Sequence, residues 1–139
     1  MDSTIEAHII LCDAAVADAA TGKVHMLGAG WSVIGRPLAP HAVAVLIKIP
    51  WDRANMQLPL RLELFGADGT PIQLSTPDGP RPVAGRATVE VGRPAGIAPG
   101  SMLDASFVLN VGALPLAPGR YEWRLVLDDL EVPAPFTVR

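Results

Sequence analysis

Only one cysteine, Cys12, occurs among the 139 residues. No intrachain disulfide can form, and a single chain cannot supply a cysteine-based zinc site. Long apolar runs are missing as well. Half of the residues are hydrophobic, but alanine supplies much of that share. Leu, Val and Ile fall in short pieces of roughly four to eight residues, well below the ~18 of a membrane span. The opening residues Met1-Asp2-Ser3-Thr4-Ile5-Glu6 carry acid where a secretory signal carries base, and no apolar segment with a small-residue cleavage site follows. The expected location is therefore the cytoplasm. Basic excess is the third lack: 11 Lys and Arg stand against 14 Asp and Glu, for a net charge of -3. A nucleic-acid partner requires a basic face to neutralise phosphates, and stacking aromatics if it is single-stranded. Neither nucleic acid nor membrane is an expected partner.

What the chain does contain is punctuation: 13 glycines and 14 prolines interrupt short apolar pieces, with no long helical periodicity. The pattern predicts strands at residues 5-12, 23-29, 42-49, 57-66, 86-91, 103-111, 120-128 and 131-138. The clearest follows the turn Pro118-Gly119, where Tyr121, Trp123, Leu125 and Leu127 alternate with Arg120, Glu122 and Arg124. One face meets a core and the other meets water. Leu58, Leu60, Leu62 and Leu64 repeat that alternation, and Pro59 should place their strand at an edge or a bulge. Ala42-Val43-Ala44-Val45-Leu46-Ile47 is apolar on both faces and predicts a central or covered strand. The alanine-rich stretch Asp13 to Gly22 could form a turn of helix, and Thr76 to Pro82 reads as a loop with few ladder donors. The expected fold is all-β: one domain over residues 1-139, an immunoglobulin-like two-sheet antiparallel β-sandwich of about seven to eight strands.

Tyr121, lying just inside a strand after L-x-P-G-x, resembles the tyrosine corner of immunoglobulin-like sandwiches, where the ring packs inward and its hydroxyl bonds nearby backbone. Across nearly the whole chain, Leu11-Cys12-Asp13-Ala14-Ala15, Gly22 to Trp31, Pro50-Trp51-Asp52 and Pro118 to Trp123 resemble a family of small bacterial β-sandwich proteins of unknown function. The resemblance implies a compact sandwich and brings no catalytic residue or cofactor with it.

Candidate chemistry is sparse. His8, His25 and His41 lie in or beside strands, but no H-x-H or H-E-x-x-H spacing brings them together as a zinc site. Gly28-Ala29-Gly30-Trp31-Ser32-Val33 starts like a dinucleotide fingerprint, yet Val33 takes the third glycine's place and no helix pattern follows to hold a pyrophosphate. Its glycines instead suit a bulge or a close backbone approach, with Trp31 packed across. Cys12 and the serines sit in no nucleophile elbow. Asp128, Asp129 and Glu131 form an acidic corner that a solvated hairpin turn explains. The expected cofactor, metal and catalytic sets are empty.

The function expected from these residues is a noncatalytic module that binds a protein partner or itself. Trp31, Trp51, Ala44 and Leu46 form the candidate binding surface, because large aromatics anchor interfaces and soluble monomers avoid apolar patches. The 42-49 strand, or an edge beside it, is expected to make the contact, the competing expectation being that a local helix or loop covers that face, for which the alanine-rich segment Asp13 to Ala20 could serve. The competing expectations are a small-ligand protein or enzyme with a pocket near Trp31, Trp51 and the histidines, and a metal-dependent hydrolase.

Overall fold

Alternating apolar residues settle into two stacked sheets in the computed structural model, which describes residues 4–35 and 38–139. One sheet has the order β1 (Glu6–Cys12), β5 (His41–Ile49), β10 (Leu103–Val111), all antiparallel. The other runs β4 (Val33–Ile34), β12 (Leu130–Val138), β11 (Gly119–Leu127), β6 (Leu58–Gly66), β9 (Ala84–Val89), antiparallel except for the short β4–β12 pair. Between them lies one core, filled from one layer by Val43, Val45 and Ile47 and from the other by Leu62, Leu64 and Trp123. The chain is therefore an all-β sandwich. Its only helical piece among the described residues is a single 3-10 turn, Trp51–Arg53.

The β11 alternation is realised as expected. Trp123, Leu125 and Leu127 are fully buried, while Arg120 and Val126 are exposed. Tyr121 is half-buried, and its hydroxyl donates to the Ala117 carbonyl at 2.7 Å, the backbone contact expected of a tyrosine corner.

Three local expectations are corrected. The alanine-rich stretch is no helix: β2 (Ala14–Ala17) pairs with β3 (Val24–Leu27) in a hairpin, so the 23-29 strand lies outside both main sheets. An isolated helix of this length is marginal, and pairing gives the same backbone groups a ladder. The Thr76 to Pro82 stretch is a hairpin too, β7 (Gln73–Thr76) with β8 (Gly79–Pro82), turning at Gly79 with φ 100°. Pro59 sits in β6, which is interior rather than at an edge. Its carbonyl accepts from the Asp128 amide at 3.0 Å, one residue past the last β6–β11 pair, Leu60 with Leu127. A strand residue points its N and its carbonyl to the same side, so the missing donor faces the turn after β11 and breaks no ladder bond.

Candidate functional site

The β2–β3 hairpin decides what the strand apolar on both faces does. The outward residues of β5 are Ala42, Ala44, Leu46 and Lys48, and the hairpin lies across the first two. Cys12, Ala42 and Ala44 are fully buried beneath Ala15, Val24 and Met26. A close approach at the hairpin root makes this possible. Gly28 has φ 60°, a Cβ there would collide with the Asp13 side chain, and the Asp13 amide bonds the Leu27 carbonyl at 2.9 Å. The Cys12 thiol sits 3.6 Å from the Ala42 carbonyl, and burial pushes its pKa up, with Asp13 adding to the shift. It is an inert packed group.

Ala44 is thus not a surface residue, because the chain covers it with its own hairpin. Leu46 is half-buried in the floor of a groove of about 610 Å³ beyond the hairpin, walled by His8, Lys23, His25 and Lys48. Trp31 and Trp51 are not brought together. Trp31 is half-buried edge-on to His41, with ring centroids 5.7 Å apart, at the start of β5. Trp51 follows the end of that strand, roughly 30 Å away at the usual rise per residue. There it is half-buried under Arg93, whose guanidinium lies 4.8 Å from the ring centroid and donates to the Trp51 carbonyl at 2.7 Å.

The histidines part in the same way. His8 and His25 are exposed beside the groove, whereas His41 is buried in the core. Trp123 Nε1 donates to His41 Nε2 at 3.2 Å, which makes Nε2 an acceptor and the ring neutral. Burial lowers the His41 pKa, and the Ala39 backbone opposes that more weakly. Among the described residues, no group of three or more His, Cys, Asp or Glu side chains gathers where a metal could bind, and no helix is long and apolar enough to cross a membrane.

The sheet edges remain, and backbone direction can be read for each. Beside β1, the Leu11 carbonyl accepts from the Gly30 amide at 2.8 Å, so the odd-numbered residues of β1 point away from β5. This edge is closed at its end. The amides of Thr137 and Arg139 bond Ser32 and Ile34, so the odd residues of β12 point away from β11. Pro133 and Pro135 therefore set their missing donors on that outer edge, where the two-residue β4 leaves most of the strand unpaired. β9 is short and carries Arg86. Prolines, charge and brevity are devices that keep an edge from pairing.

β10 has neither proline nor brevity, and its one charge, Asp104, pairs with Lys48 at one end of the strand; the β2–β3 hairpin lies against its outer face, where the Ser106 hydroxyl donates to the Gly22 carbonyl at 2.8 Å. The even residues of β1 and β5 bond each other, so the odd residues of β5 bond the odd residues of β10. Asp104, Ser106, Val108 and Asn110 then turn their N–H and C=O groups outward. This nine-residue strand carries no proline, glycine or base, and its inner-face residues Phe107, Leu109 and Val111 are half-buried. Sequence reasoning placed the strand but not its edge, since neighbours are fixed by sheet order. The prolines of β12 were a readable sign that edges here are guarded.

The molecule is therefore an all-β sandwich in which, among the described residues, the β12 edge is set with prolines, β9 is short and charged, β1 is closed at Leu11, and β10 has no strand paired along its outer edge. A family model described as a family of unknown function, DUF6941, matches residues 7–139, and the chain belongs to that family. No curated protein matches the chain.

Proposed function

We propose that this chain is a noncatalytic interaction module that works by strand addition, taking an extended protein segment onto the free edge of β10. The observation that supports this is the contrast among edges: β12 has Pro133 and Pro135 and β1 is closed by Gly30 at Leu11, while β10 turns Asp104, Ser106, Val108 and Asn110 outward with no neighbouring strand among the described residues. An exposed strand edge is a template for another strand, with the main chain giving affinity and alternate side chains giving selectivity. The fully buried Ala44 shifts the expected contact from the face of β5 to the edge beside it.

The experiment is a titration of isotope-labelled protein with extended nine-residue peptides of alternating apolar and polar residues. The amides of Asp104, Ser106, Val108 and Asn110 should shift and exchange more slowly. Asn110→Pro should abolish the response, because it removes one outward donor at an exposed position and no bond to β5. If no peptide perturbs those four amides and the chain also stays monomeric at every concentration, the reading is wrong.

A further inference from the structure

We infer that the edge of β10 is self-complementary and pairs antiparallel with β10 of a second copy, about a two-fold axis through Phe107. This rests on the strand-addition reading and names the occupant. The register follows from which groups are free. Only Asp104, Ser106, Val108 and Asn110 point away from β5, so a second strand can hydrogen-bond only at those residues, and antiparallel bonded pairs exchange two bonds each. Centred on Phe107, Asp104 faces Asn110 of the second copy and Ser106 faces Val108, so every outward group on both strands is satisfied. Centring on Ser106 leaves Asn110 unpaired, and centring on Val108 leaves Asp104 unpaired. An axis between two residues would set an outward residue against one whose groups already bond β5.

Side chains agree with this register. Asp104 is the one charged residue of β10, and the axis sets it against the Asn110 amide instead of a second Asp104. On the inner face, Phe107 meets Phe107, Ala105 meets Leu109 and Leu103 meets Val111. The half-buried rims of two cores become continuous. The product is one closed six-stranded sheet, β1-β5-β10 followed by its two-fold copy, and pairing uses up both bare edges so that growth stops at two.

The test is cross-linking of the full chain. Asp104 and Asn110 are exposed, and bonded partners in an antiparallel pair lie about 5.5 Å apart at Cα, within disulfide reach. Under oxidised glutathione, the Asp104→Cys/Asn110→Cys double variant should give a reducible covalent dimer. Each single variant should stay uncross-linked, because its cysteine faces Asn110 or Asp104; the native Cys12 is buried and does not compete. Light scattering of the unmodified protein should show twice the monomer mass at high concentration, falling on dilution. Single variants that link as well as the double variant would overturn the register. A mass that stays monomeric at all concentrations, with no cross-link, would overturn self-pairing. Peptide-induced protection of the β10 amides would in that case still uphold strand addition, so the two failures are distinguishable.

Discussion

Acidification should unfold this protein earlier than its carboxylates alone would dictate, because of His41. The imidazole is buried in the core, accepts the Trp123 indole N–H at 3.2 Å, and has its pKa lowered by burial. Protonating it places a charge among aromatic rings and turns Nε2 from an acceptor into a donor facing a donor. The unfolded chain takes up that proton near pH ~6.5, whereas the folded chain resists it to lower pH. The unfolded state therefore binds more protons in this window, and stability present above about pH 6.5 is lost as the pH falls toward the folded value. Each pKa unit of depression corresponds to about 1.4 kcal/mol. For a domain of this size, 1 kcal/mol moves the unfolding midpoint by roughly 3–5 °C. The comparison variant is His41→Phe, which keeps an aromatic ring and cannot titrate. At pH 7.5 it should be less stable by about 1–3 kcal/mol, since the Trp123 N–H is left buried without an acceptor. Its midpoint should then hardly change down to pH 5, while that of the unmodified chain falls and the two curves converge. Thermal unfolding followed by tryptophan fluorescence from pH 7.5 to 4.5 measures this, with His8→Gln/His25→Gln removing the exposed imidazoles. Parallel slopes for the unmodified chain and His41→Phe would refute the reasoning. So would a flat profile for the unmodified chain.

The remaining expectations are shorter. Trp123→Ala should cost about 3–5 kcal/mol in denaturant unfolding, because a fully buried indole leaves a cavity between the sheets. Tyr121→Phe should cost about 0.5–1.5 kcal/mol, the usual worth of one hydrogen bond, here to the Ala117 carbonyl; an unchanged midpoint would remove the corner from the stability account. Gly28→Ala should lose about 1–2 kcal/mol through its positive φ alone. Because it also meets the Asp13 side chain, it should loosen the hairpin and speed labelling of Cys12 by a thiol reagent. Labelling as slow as in the unmodified chain would mean that the hairpin is not what covers Cys12.

Much of this fold was legible because alternation is a local signal. Tyr121 to Leu127 and Leu58 to Leu64 each declare which side faces the core before any partner is known, and the structure puts Trp123 and Leu62 where the pattern does. What stayed hidden was decided by neighbours far along the chain. The strand Ala42 to Ile47 announces that both its faces are covered and leaves a second chain and the alanine-rich segment after Cys12 as equal candidates, without showing that this segment pairs as a hairpin. The cover proves to be Ala15, Val24 and Met26, held down by one backbone approach at Gly28, so the alanine-rich stretch is a strand of the lid over Ala44 and not a turn of helix. Pro59 misled for a related reason. Proline forbids a donor on one side of a strand, and an interior strand can accept it where the neighbour on that side has already ended. Pro133 and Pro135 show the same chemistry put to another use, facing an edge that must not pair. The candidate site is the converse of these cases. A free edge is written in the residues a strand lacks, and it becomes visible only when sheet order places β10 outermost and backbone direction shows which four residues face outward.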